Sequence, residues 1–402
     1  MDTRQIPEPL RGLEPDSWAR TTIVERLPDI ARKIPAENQF PWSIEQELKI
    51  LWNEIPDQKI RPIKDLGSPD FGDWRGYTAD YLDLNWLQTP WFFAETYFYR
   101  RVMEAVRFFE RGEDPFLAQK QLGYQHSAPA IQQYAEQLLD WLSPGREPEE
   151  YLQDAFYFTL WGNQADYSLW PADGDSSPEH EDLQAAQEHL LADDSPLLMD
   201  LLIGDHKLPR VDFLLDNAGF ELITDLGLAD LLLSSGRVDR MVLHAKAHPT
   251  FVSDVIPRDV DDAVQALQDD QSEAVRQFGQ RLRAHFRDAR MLVRADFFWN
   301  SPLAMWDLPE GVEQTLAGAD LLISKGDANY RRLTGDRSWD FTTPFGEVID
   351  YLPVPLAAFR TLKAELAVGL TREAVRKARR ADPDWMTDGR WGVIQYASAG
   401  KK

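Results

Sequence analysis

Three loops of this 402-residue chain carry side chains of the right type and spacing to do chemistry. Each follows a short apolar run that reads as a buried strand. After VDFLL come Asp216, Asn217, Ala218 and Gly219. After MVLHAK the loop AHPTFVSD ends at Asp254. After DLLIS come Lys325, Gly326, Asp327, Ala328 and Asn329. A fourth run, MLVRAD, leads into FFWNSP and brings nothing comparable. Oxygen donors of the Asp and Asn kind suit a hard or borderline cation, magnesium or manganese in particular. Two carboxylates and one amide leave positions open for water and a phosphate oxygen. The KGDANYRRL segment suggests a seat for that phosphate. Gly326 permits close backbone approach, the helix expected from Ala328 offers free N–H groups, and Lys325 and Arg331 add positive charge. Taken singly, each loop also reads as a turn with a capping side chain. Their placement at one sheet edge favours a site.

The elements that place these loops are legible in the pattern. From about residue 208, continuous apolar runs of four to six residues alternate with helical stretches. Such strands are buried on both faces, and the helices between them imply right-handed crossovers in a mostly parallel sheet. Ligands in such sheets bind beyond the carboxyl ends of the strands. Residues 1–195 instead space their apolar residues at three and four, as in WFFAETYFYRRVMEAVRFFERG, where Phe92, Phe93, Tyr97, Val102 and Val106 share a face. These aromatics are expected to be packing residues. The expectation is therefore a helical N-terminal domain over 1–195 and an α/β/α metal-binding domain over 196–402, in the α/β class. QAAQEHLLADDSPLLMDLLIG is expected to be helical, as is a long stretch near DDAVQALQDDQSEAVRQFGQRLRAHF. PADGDSSPEHED reads as a loop. In LWGNQAD, Asn163 and Asp166 are the best polar candidates for a cleft wall, or else helix and loop caps.

Composition removes several chemistries. There is no cysteine, which excludes disulfides, zinc–thiolate and iron–sulfur sites and thiol nucleophiles. Sixty-seven acids against 43 lysines and arginines give a formal charge of −24, which repels nucleic acid and anionic lipid. No run approaches the roughly 20 apolar residues of a membrane span. The expected location is cytoplasmic. No G-x-G, Walker lysine motif, D-x-D-x-[TV] or G-x-S-x-G pattern occurs. His244 and His248 have i, i+4 spacing but straddle a strand end, with Pro249 following. They do not read as a helical zinc pair.

Four motifs in order, DNAGFELITDLGLADLLL, HAKAHPTFVSD, KGDANYRRLTGDR and FRTLKAEL, resemble the damage-control phosphatases of the former domain-of-unknown-function family 89. They are most similar to its third subfamily, of sugar phosphate phosphatases and acidic-residue methyltransferase-like proteins. Its R-T-x-K motif stands here as Arg360, Thr361, Leu362 and Lys363. WFFAETYFYRRV and LWGNQADYSL resemble segments of the same subfamily, so the likeness covers most of the chain. Ala328 sits where relatives often carry leucine. The resemblance implies a metal-dependent phosphatase of small phosphorylated metabolites, with fructose 1-phosphate, fructose 6-phosphate and related sugar phosphates as candidates. It implies metal ligation (Mn, Mg, Co or Ni) and catalysis at Asp216, Asn217 and Asp254. It implies substrate contacts at Asp327, Ala328, Asn329, Tyr330, Arg331 and Lys363. Glu221 matches a position tied to S-adenosylmethionine in the methyltransferase naming; it also reads as a first-turn acid at a helix start. The nucleophile, water or a carboxylate, stays open. Two rival readings remain. One is an S-adenosylmethionine-dependent protein carboxyl (glutamate) O-methyltransferase, which lacks here the usual glycine-rich loop. The other is a non-catalytic metabolite-binding protein.

Overall fold

The structure is a computed structural model that describes residues 6–162, 187–204 and 206–400. Asn163, Asp166 and PADGDSSPEHED lie outside the described residues. Seven strands form one sheet: β1 (Leu190–Asp193), β2 (Leu208–Leu214), β3 (Val238–Lys246), β4 (Met291–Asp296), β5 (Leu321–Lys325), β6 (Leu356–Thr361) and β7 (Gly392–Ala397). Their order is β1-β7-β6-β5-β2-β3-β4, and every neighbouring pair is parallel except β6 with β7. The mostly parallel sheet therefore stands as expected, with one antiparallel pair.

Side-chain alternation along the strands sorts the core onto two faces. Val211 and Phe213 of β2, Leu321 and Ile323 of β5, and Ala357 and Phe359 of β6 enter one core. Leu214, Leu322, Leu356 and Ala358 enter the other. The first face is covered by α3 (Ala128–Trp141), α4 (Leu152–Trp161), α5 (Phe220–Ser234), α6 (Pro257–Gln268) and α7 (Glu273–Arg287). The second is covered by α8 (Asp327–Thr334) and by a helix at Arg372–Ala381. A third core gathers the helices of residues 18–105 around α1 (Trp91–Ala105). Phe92, Phe93, Tyr97, Val102 and Val106 are all buried, as packing residues should be. The helix α2 (Leu117–His126) stands between this region and α6. Among the described residues no helix is long and apolar enough to cross a membrane.

Two local expectations change. HLLADD sits in an amphipathic-looking stretch, yet its LLAD becomes β1 beside β7, and helix resumes at Ser195–Ile203. Pairing with a neighbouring strand outweighs intrinsic helix preference there. The long helix expected across 261–286 is two helices, α6 and α7. Between them Asp270 Oδ1 accepts from the Ser272 backbone N–H at 2.7 Å, a local side-chain bond that competes with helix continuation. β1 also lies before the boundary expected at residue 195. Helices α3 and α4 share their core with the sheet rather than with α1.

Candidate active site

The carboxyl ends of β2, β3 and β5 converge, and the backbone shows how. Residue Asn217 pairs with Asp254 in an isolated antiparallel bridge. Its flanking bonds run from Ala218 N–H to Ser253 O (2.7 Å) and from Val255 N–H to Asp216 O (2.8 Å). The loop that delivers Asp254 is strained. Phe251 and Val252 have φ of 47° and 69°, a left-handed conformation that costs non-glycine residues on the order of 1–3 kcal/mol each. Gly326 closes the site from β5. With φ 82°, it lies so near Asp216 that an added Cβ would stand 1.9 Å from Asp216 Oδ2. Gly326 therefore serves for close approach, as its place in the sequence suggests.

Three acids meet here. Asp216 and Asp254 are buried. The Asn217 amide donates to Asp216 Oδ2 (2.8 Å) and to Glu221 Oε2 (2.9 Å), while its oxygen accepts from the Ser253 hydroxyl. Asp216 Oδ1 and Asp254 Oδ2 are buried without a hydrogen-bond partner. Burial pushes the Asp216 carboxyl far above the usual carboxylate range. The charges of Asp254 and Glu221 push the same way, while Lys246 and Lys363 oppose them. Burial likewise raises Asp254 to about 6, against the pull of Lys246. Glu221 behaves differently. Burial would raise it, but Lys325, Lys363 and the bonds from Asn217 and Lys325 outweigh burial and hold it below its ordinary value. A buried carboxylate short of partners is costly, and two crowded together with one lysine between them are a natural place for a cation.

Lys246 is the principal residue that sequence reasoning missed. Its ammonium lies 3.4 Å from Asp254 Oδ2 and donates to Asn329 Oδ1 at 2.9 Å. The Asn329 amide in turn donates to the carbonyls of Leu215 (3.0 Å) and Lys325 (2.8 Å). One lysine thus ties β3 to the KGDAN turn and, through it, to β2. The signal was there: Lys246 closes the apolar run MVLHAK, and a lysine at the end of a buried strand needs a partner.

The remaining expected residues divide. Asp327 Oδ1 accepts from the Arg360 guanidinium (2.8 Å) and from the Lys363 backbone N–H (3.0 Å). It therefore joins the KGD and R-T-x-K segments. The Lys363 ammonium is half-buried, with no ion pair among the described residues, and its charge is felt at Asp216 and Glu221. Among the described residues no backbone acceptor takes the N–H groups of Asp327, Ala328 and Asn329 at the start of α8. Ala328 contributes only that backbone.

Lys325 does not present its charge to the cleft. It is buried against Glu221 (3.0 Å) and Asp225 (3.5 Å) and donates to the Thr159 carbonyl. Arg331 is also committed elsewhere. It pairs with Glu95 and with Asp336 (2.7 Å), and its guanidinium stacks on Trp91 at 3.7 Å. Buried guanidinium and ammonium groups must be paired, and these two are paired with the scaffold. Tyr330 packs in the core and donates to Gln395 at 2.8 Å. His244 Nε2 lies 2.7 Å from Asp212 Oδ2, while His248 Nδ1 lies 3.0 Å from the Pro249 carbonyl and burial drops its pKa to about 4, so the two rings take separate partners. Among the described residues no three His, Cys, Asp or Glu side chains stand ready to hold a metal. The donors on offer are two carboxylates and an amide.

Among known proteins, relatives match nearly the whole chain. Residues 22–378 match the family model of the damage-control phosphatase ARMT1-like domain. The chain is 33% identical to the damage-control phosphatase ARMT1 of Mus musculus, over 98% of this chain and 99% of that protein. It is 31% identical to the Danio rerio protein of that name, over 98% and 97%, and 30% identical to the Homo sapiens one, over 97% and 98%. A solved protein of the family 89 class from Pyrococcus horikoshii aligns over 94% of this chain and 98% of its own, at 13% identity and a TM-score of 0.48.

Proposed function

The chain belongs to the ARMT1-like damage-control phosphatase family, and we propose that it hydrolyses monophosphate esters of small sugars, such as fructose 1-phosphate or fructose 6-phosphate, with a divalent metal held by Asp216, Asn217 and Asp254. The coarser activity, that of a phosphatase of damaged metabolites, follows from the family itself. The observation that carries the finer reading is the buried carboxylate pair set beside Glu221, in which Asp216 Oδ1 has no hydrogen-bond partner and Asp254 Oδ2 has only the 3.4 Å ion pair to Lys246. A cation of the Mn, Mg, Co or Ni kind satisfies both and offsets the crowded negative charge. The Asn217 amide nitrogen faces the acids here, so its oxygen serves a cation only after the amide turns over. When bound, such a metal supplies a Lewis acid for a phosphate oxygen and lowers the pKa of a water molecule.

The chain's own residues do the rest. The free N–H groups at the start of α8, aligned with the helix dipole, receive phosphate oxygens. The Lys363 ammonium adds a charge that nothing else among the described residues uses, and Asp327 fixes the backbone from which it reaches. Lys246 holds Asp254 and Asn329 in register. Lys325 keeps Glu221 ionised beside Asn217. The N–H groups of α8 and the Lys363 ammonium together place positive potential where charge develops on the transferring phosphoryl group. The test is release of inorganic phosphate from a panel of sugar monophosphates, with each metal in turn and with chelator. Turnover confined to metal-loaded protein is expected. Full turnover in excess chelator would sink the metal assignment, and none on any ester would sink the substrate class.

A further inference from the structure

A recess of about 480 Å³ lies between α2 and α6, within the range of small-molecule sites, about 300–1,000 Å³. Ala218, Gly219 and Leu222 line it, and the first two directly follow Asn217. Two residues span at most about 7 Å, so the recess begins within that reach of the proposed metal loop. The second such loop borders it too, because α6 starts three residues after Asp254. The Lys120 charge, at the edge of the recess, is felt by the Asp254 carboxyl.

The chemistry of the lining is specific. Both of its cations are already paired. Lys120 lies 3.0 Å from Asp114 and 2.7 Å from Asp259, and Arg258 lies 3.4 Å from Asp262. Asp259 and Asp262 line the recess as well, so its two cations are matched by two acids and it offers an anionic ligand group no net positive charge. Gln121, Tyr124 and Gln125 also line the recess, at i, i+3 and i+4 on one helical face, and the hydrogen-bonding capacity of their two amides and one hydroxyl is unused among the described residues. On the facing wall Ala263 and Ala266 leave room.

Resting on the phosphatase reading, we propose that this recess is the subsite for the leaving group, and that it selects monophosphates with an uncharged, hydrogen-bonding remainder over esters that carry a second anionic group. The amides and the hydroxyl of α2 bond the hydroxyls of the substrate. The paired cations leave a second phosphate or carboxylate without compensation, which costs more than it returns.

The experiment uses the full-length, metal-loaded protein, a hexose monophosphate, the matching hexose bisphosphate, and inorganic phosphate as a product inhibitor. The double variant Gln121→Ala/Gln125→Ala should raise KM for the monophosphate about tenfold. Its kcat and its inhibition by inorganic phosphate should hold, because phosphate alone does not reach the recess. Asp262→Asn frees Arg258 and should lower KM for the bisphosphate severalfold, a gain that simple damage to the fold would not produce. Unchanged KM values in both variants, with phosphate still released, would overturn the subsite and leave the phosphatase reading standing. If the parent protein released phosphate from no ester, the functional reading would fall first and this one with it.

Discussion

The buried carboxylate pair makes a quantitative prediction for the metal-free protein. Asp254 shifts from 3.8 to about 6, first because burial disfavours its charge. A shift of about two units corresponds to about 3 kcal/mol. Its sign is fixed by which state holds the proton: between pH 4 and 6 the folded protein keeps a proton that the unfolded chain has lost. Stability from this group therefore falls as pH rises through that window and is level above it. Asp216 is raised further and extends the loss to higher pH. The perturbation is Asp254→Asn, which keeps the shape and removes the titration. For 402 residues, unfolding entropy is about 0.8 kcal/mol/K, so 3 kcal/mol is roughly 4 °C. Calorimetry of chelator-treated parent and variant from pH 4.5 to 7.5 gives the difference in Tm at each pH. The parent should lose roughly 2 °C relative to the variant across that range, because about 2 kcal/mol of the loss lies above pH 4.5. Adding manganese at a hundredfold excess over its dissociation constant should return about 3 kcal/mol, again 3–4 °C, to the parent and much less to the variant. A Tm difference independent of pH, or an equal metal shift in both proteins, would refute the reasoning.

Three further outcomes follow from the geometry. Gly326→Ala places a methyl group 1.9 Å from Asp216 Oδ2 at a φ of 82°; phosphatase activity should fall by about a hundredfold, with circular dichroism preserved at 25 °C. Lys363→Ala should raise KM for a sugar monophosphate about tenfold while changing stability by less than about 0.5 kcal/mol, because its ammonium holds nothing else together; a large drop in urea midpoint would show the lysine to be structural. Arg331→Lys should do the reverse, costing about 2–4 kcal/mol in denaturant unfolding through lost bonds to Asp336 and lost stacking on Trp91, with KM within twofold of the parent; a tenfold KM change at unchanged stability would restore the substrate-binding role that its place in the motif suggests.

Much of the fold is readable because continuous apolar runs have one good solution. VDFLL, MVLHAK and DLLIS cannot be half-exposed, so they go to the middle of a parallel sheet and their loops to one edge. β1 and β7 are harder. LLAD is embedded in helix-forming sequence, and its pairing with β7 joins segments about 200 residues apart. At the site, Asp216, Asn217 and Gly326 come together because each follows a strand closely, and Asp254 joins them because the loop after β3 pairs back onto Asn217. Lys325 and Arg331 mislead because residue type shows a charge and not its partner. Asp225 and Glu95, which absorb those charges, lie 100 and 236 residues away. Lys246 escapes notice for the same reason, since its significance comes from Asp254 and Asn329 and not from its own segment.

The central claim is that Asp216, Asn217 and Asp254 hold the metal that the phosphatase needs. The most direct test strips the protein with chelator, restores manganese, and follows phosphate release from fructose 1-phosphate by parent and Asp216→Ala side by side. Stripped parent should release nothing and recover on adding metal, and the folded variant should release none at any metal concentration. Release by the variant at the parent's rate, or by the stripped parent without metal, would contradict it.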